Sequence, residues 1–134
     1  MKHREYHLQK QICQWLEMQH PDVLFMSDTV ANVRLTIPQA VRNKAIQKDG
    51  FKCPDLIIFE PAGVYRGLFI ELKADTPYRK DGKLKSSEHL RGQKATIEDL
   101  NERGYLALFS WGFDRTKEII DNYLADRDMT EWLG

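Results

Sequence analysis

The chain has 134 residues, with 42% hydrophobic content, 30% charged content and twenty basic residues balanced by twenty acidic ones. That length suits one domain over residues 1–134 with a real hydrophobic core and excludes two large ones. The cancelled charge speaks neither for nor against nucleic acid, so a basic binding surface has to come from segregation of charge within the fold. Two cysteines, Cys13 and Cys53, are too few for a disulfide framework and lack the short spacing of a zinc site. No stretch approaches the roughly 18 to 20 apolar residues that span a bilayer. The expectation is a reduced protein of the cytoplasm.

Residues 4–19 read as a helix, with Leu8, Ile12, Trp15 and Leu16 on a 3.6-residue repeat that His20-Pro21 closes. Glu5 and Gln9 are one turn apart on it. Glu5 is either a solvent-facing carboxylate or an extra metal or water ligand delivered by this helix. Val23 to Met26 predicts a short strand, and Asn32-Val33-Arg34 leads into Thr36-Ile37-Pro38. Pro38 suits the first turn of a helix continuing from Gln39 to Gln47, with Gly50 as its breaker. Arg42, Lys44 and Lys48 give this segment a basic surface, suited to backbone phosphates or simply to solvent.

The stretch Pro54 to Lys73 concentrates the chemistry. Two β-rich runs, Pro54-Asp55-Leu56-Ile57-Ile58-Phe59 and Gly67-Leu68-Phe69-Ile70-Glu71-Leu72-Lys73, flank a Pro/Gly break and predict adjacent antiparallel strands. Alternation puts Glu71 and Lys73 on one face, with Leu68, Ile70 and Leu72 on the other. Asp55 opens the neighbouring strand and lies beside Glu71 if the register allows. Two close carboxylates repel and desolvate at a cost that a hard divalent cation relieves. Mg2+ or Mn2+ would take oxygens from Asp55, Glu71, the Leu72 backbone carbonyl and water, leaving Lys73 to handle water or phosphate. The same letters also fit an amphipathic strand with solvated charges at its tip.

Residues 74–85 are polar, with Pro77 and the turn signal Asp81-Gly82, and predict a mobile loop. Arg79, Lys80, Lys83 and Lys85 on it, with Lys94 beyond, are candidate DNA-phosphate contacts. Ser86 or Ser87 caps a helix to about Arg103, whose apolar stripe is Leu90, Ile97 and Leu100 and whose inward border holds Gln93. Gly104 ends it, Tyr105 to Ser110 is a further strand, and Gly112 and Asp114 turn and cap a last helix with Ile119, Ile120, Tyr123 and Leu124. The order predicts an α/β fold, a mixed central sheet flanked by helices, with a right-handed parallel crossover after Lys73.

These residues resemble the VRR-NUC branch of the PD-(D/E)XK nuclease superfamily, the stand-alone type of bacteriophage and bacteria. Lys52-Cys53-Pro54-Asp55-Leu56, Gly67 to Lys73, Ser87 to Gln93, Gly104-Tyr105-Leu106-Ala107 and Gly112-Phe113-Asp114 carry the likeness over nearly the whole chain. The resemblance implies a restriction-endonuclease-like core and catalytic residues Glu5, Asp55, Glu71, Lys73 and Gln93, with Asp75 as a looser addition. Asp55 and Glu71 would hold Mg2+ or Mn2+, with support from Glu5. The family often has glycine before the Pro-Asp pair, where this chain has Cys53. The implied activity is structure-selective DNA cleavage by a homodimer, on four-way (Holliday) junctions or other branched DNA, in recombination or repair. A restriction-type duplex endonuclease and a non-catalytic nucleic-acid-binding or assembly protein are the alternatives.

Overall fold

A computed structural model gives the architecture and describes residues 2–28 and 34–133. Asn32 and Val33, expected to lead into the second helix, lie outside the described residues. The elements run α1 (Lys2–Gln19), β1 (Phe25–Ser27), α2 (Ile37–Ala45), β2 (Leu56–Ile58), β3 (Leu68–Lys73), α3 (Glu88–Glu102), β4 (Leu106–Trp111), α4 (Phe113–Leu124) and α5 (Thr130–Leu133). The sheet order is β1-β2-β3-β4, antiparallel except for the parallel β3–β4 pair that α3 connects.

Strand alternation builds two cores. Leu68, Ile70, Leu72, Leu106 and Leu108 point to one face, where they meet Leu8, Ile12 and Leu16 of α1 and Ile119, Ile120 and Tyr123 of α4. Phe69, Ala107 and Phe109 point to the other, under Ile97 and Leu100 of α3. Each fully buried aliphatic side chain contributes about 1.5–3 kcal/mol over exposure, which fixes the register of β3 and so the face on which Glu71 and Lys73 emerge. The Asn101 side chain closes part of the β4 edge, donating to the Ala107 carbonyl at 3.0 Å and accepting its N–H at 2.8 Å.

Several boundaries differ from expectation for local reasons. β1 sits later than residues 23–26 because its partner β2 sets the register, Phe25 against Ile58 and Ser27 against Leu56. α2 begins with a Thr36–Gln39 capping box and stops at Ala45 rather than Gln47. Gly112, with φ 75° and no side-chain cap, precedes α4, so Asp114 is a first-turn acid and not the cap. Thr116 instead ties this turn together, donating to the Gly112 carbonyl at 2.8 Å and meeting Ser110 Oγ at 2.7 Å. The segment expected to be a mobile loop is a hydrogen-bonded ribbon. Tyr78 bridges to Leu84, Arg79 N–H donates to the Lys83 carbonyl at 2.7 Å, and the Tyr78 ring packs edge-on against Phe109 and Trp111. Among the described residues no helix is long and apolar enough to cross a membrane.

Gly104 ends α3 with φ 96°, and a Cβ there would lie 2.9 Å from Arg66 Nε. Gly104→Ala is therefore expected to destabilise the fold by about 1–2 kcal/mol through left-handed strain. Urea denaturation would measure this, with an unchanged midpoint counting against it.

Candidate active site

The β2–β3 register pairs Leu56 with Ile70, and continued by one residue it sets Asp55 opposite Glu71 and Pro54 opposite Leu72. Residues directly opposite in an antiparallel pair hold their Cβ atoms about 4.5–5.5 Å apart, so these two carboxyls are forced together. Pro54 has no N–H, so it cannot donate to the Leu72 carbonyl as the next rung of the ladder would require. The Leu72 N–H finds the side chain of Asp55 instead, donating to Oδ2 at 2.9 Å. In a strand a residue's N–H and C=O point to the same side, so the Leu72 carbonyl also faces Asp55. The Pro-Asp pair thus ends the ladder and turns a carboxylate and a backbone oxygen toward one place.

Glu71 is only 5% exposed. Burial pushes its carboxyl up to about 10, helped by the hydrogen bond and negative charge of Asp55, while Lys73 pulls the other way and Glu5 adds to the rise. Without a cation, Glu71 therefore keeps its proton at neutral pH. Asp55 and Lys73 are half-buried at the cavity wall.

A cavity of about 730 Å³ opens over this pair, and Glu5, Asp55, Glu71, Leu72, Lys73 and Gln93 all line it. α1 delivers Glu5 and α3 delivers Gln93, which is 7% exposed with its Oε1 buried and without a hydrogen-bond partner among the described residues. All five expected catalytic side chains and the Leu72 carbonyl are brought to one cavity. Asp75 is not among the lining residues and makes a two-pronged ion pair with Arg4, at 3.0 and 3.1 Å. None of Arg42, Lys44, Lys48, Arg79, Lys80, Lys83, Lys85 and Lys94 lines the cavity either. Arg79 is paired with Asp81 at 2.7 Å, and Lys94 lies 5.9 Å from the Tyr78 ring centre.

The donor set suits Mg2+ or Mn2+. Among the described residues no three His, Cys, Asp or Glu side chains form a cage. Mg2+ does not require one, being held through one or two carboxylates, substrate phosphates and retained waters. A buried carboxyl set by the strand register opposite a second one is what a hard cation neutralises, and Glu71 beside Asp55 is such a pair.

Residues the sequence left without a role also line the cavity. Gln9 Nε2 donates to the Asp28 carbonyl at 3.0 Å and reaches the Asp55 carbonyl at 3.5 Å, and the Asp28 N–H donates to that same Asp55 carbonyl at 2.8 Å. These bonds hold the backbone that carries Asp55. Cys53 and Cys13 are half-buried free thiols. Burial, then Asp28, Glu71 and Asp55, push the Cys53 thiol up, so it stays protonated. Lys52 and His89 line the cavity as well. The four-residue spacing of His89 and Gln93 on a helix was the available signal for His89.

The solved structure of a VRR_NUC domain protein is similar to this chain, with TM-score 0.65 and 27% sequence identity, covering 92% of this chain and 90% of that one. The likeness to this VRR_NUC domain protein runs over nearly the whole chain, in fold and in sequence. No family model matches this chain's sequence, and no curated protein matches it. The chain thus shares the fold of a VRR_NUC nuclease domain, a mixed four-stranded sheet flanked by helices.

Proposed function

We propose that this protein is a VRR-NUC-type, metal-dependent DNA endonuclease that hydrolyses phosphodiester bonds, and that branched DNA such as a four-way junction is its substrate. The observation that carries the reading is the Asp55–Glu71 pair, forced together by the β2–β3 register beside Lys73 in an open cavity. Asp55, Glu71 and the Leu72 carbonyl would hold Mg2+ or Mn2+, with Glu5 in support. When bound, the ion supplies charge stabilisation at the scissile phosphate and the leaving oxygen.

The chain's own groups do the rest. Lys73 shares the face of Glu71 and presents its ammonium to the attacking water or to a non-bridging phosphate oxygen. The partnerless Gln93 Oε1 accepts a hydrogen bond from that water and so orients it for in-line attack. Gln9 and the Leu72 N–H keep Asp55 in place as charge builds. A homodimer would place one such centre on each of two strands of a two-fold symmetric junction.

The test is cleavage of labelled junction, flap and linear duplex with Mg2+ or Mn2+, against an EDTA control. Cleavage is expected only with metal and fastest on the junction. No metal-dependent cleavage of any substrate by folded protein overturns the nuclease reading. A single defined duplex sequence being cut would instead assign a restriction-type substrate.

A further inference from the structure

Two cationic or proton-donating side chains face the cavity from the α3 side with no part in the chemistry above. Lys52 is seated on α3 at two points. Its N–H donates to Thr96 Oγ1 at 3.4 Å, and its side chain crosses the helix at Gly92. A Cβ at residue 92 would lie only 3.2 Å from Lys52 Cε and 3.3 Å from Cδ and Nζ, so the absence of a side chain there is what seats the lysine. His89 precedes Gly92 by three residues and Gln93 by four, which puts all three on neighbouring parts of one helix face.

Neither Lys52 nor His89 has an ion-pair partner among the described residues. Desolvation, followed by the positive charges of Lys73 and Lys52, holds His89 below the ordinary histidine range, so the neutral ring has one N–H to donate. The cavity also has space to fill. At roughly 30 Å³ per water, a hydrated ion and one phosphate occupy well under half of its 730 Å³.

We propose that Lys52 and His89 form a phosphate subsite on the α3 wall, which grips a second backbone phosphate of the strand being cut. The subsite rests on the nuclease reading. Its ligand is a phosphodiester oxygen pair, with Lys52 supplying charge and His89 a directional N–H. Gripping a phosphate other than the scissile one makes it a binding element, felt in ground state and transition state alike.

The test compares the parent protein with Lys52→Ala, His89→Ala, the double variant and Gly92→Ala. Readouts are steady-state cleavage of labelled DNA with Mg2+ and anisotropy of the same DNA in EDTA over a salt series. The double variant is expected to raise KM about tenfold with kcat within about threefold, and to reduce the salt slope by about 1, from the lost Lys52 charge. Gly92→Ala is expected to keep or raise the melting temperature, since alanine favours the helix, yet to raise KM as Lys52 is pushed from its seat. Unchanged KM and salt slope in the double variant, with the parent cutting normally, overturn the subsite alone. A parent that cuts no DNA overturns the nuclease reading and the subsite with it.

Discussion

Glu71→Gln is expected to stabilise the metal-free protein while abolishing its response to cations. The Glu71 carboxyl lies far above its ordinary 4.5 in the folded state, at about 10, because it is buried against Asp55. A folded-state value raised above the unfolded one means that the folded chain binds the proton more tightly. That stabilisation is fully present below about pH 4.5 and is lost as pH rises toward 10. The slope from this group is at most about 1.4 kcal/mol per pH unit. Glutamine keeps the shape, can donate its amide to Asp55 and carries no charge to desolvate. In EDTA at pH 8 the variant should exceed the parent by about 1–3 kcal/mol and lose most of the parent's pH slope. Mg2+ or Mn2+ should raise the parent's melting temperature, more strongly at higher pH because binding displaces the Glu71 proton, and leave the variant unmoved. Thermal melts from pH 5 to 9 decide it. A variant less stable than the parent at pH 8 in EDTA would show that the buried carboxyl costs nothing.

Lys73→Ala should reduce cleavage by about 10²–10⁴-fold, the usual range for losing a positioned proton-transfer group. The fold should survive, because Lys73 ends β3 half-buried and the apolar face of that strand is untouched. A second effect follows from the charges. Lys73 is the group that lowers the proton affinity of Glu71, so its removal leaves the Glu71 carboxyl more protonated. Residual cleavage should accordingly shift its optimum to higher pH. Single-turnover rates across pH, with circular dichroism as a fold check, measure both. Full activity in a folded Lys73→Ala protein would falsify the assigned role.

The site was legible where one-dimensional periodicity decides geometry. Alternation along Leu68 to Lys73 put the aliphatic side chains on the α1/α4 core and the charged pair opposite. The short Pro/Gly link implied the antiparallel pairing, and the helix ending at Gly104 implied the parallel crossover. Features that depend on residues distant in sequence were not legible. The ribbon around Asp81-Gly82 has loop composition, but Tyr78 anchors it on Phe109 and Trp111, some thirty residues on. Arg115 stacks 3.9 Å from the Trp111 ring centre and 5.1 Å from that of Trp132, so the tail's α5 comes back against α4 by a contact no periodicity encodes. The seat of Lys52 on Gly92 is of the same kind. Charge alone marks Arg42, Lys44, Lys48, Arg79, Lys80, Lys83, Lys85 and Lys94 for phosphate contact, and charge does not say which wall of a fold a side chain faces.

The bond from the Leu72 N–H to Asp55 bears on how the proposed site assembles. The last rung of the sheet is made by a proposed cation-ligating side chain rather than by backbone, so a slip of β2 against β3 by one residue would cost the pairing and the proposed ligands together. During refolding, restoration of cation affinity should follow the zipping of these two strands and lag behind helix formation. A cation that prefers the finished site would in turn act as a proofreader of strand register, drawing the chain away from misaligned sheets.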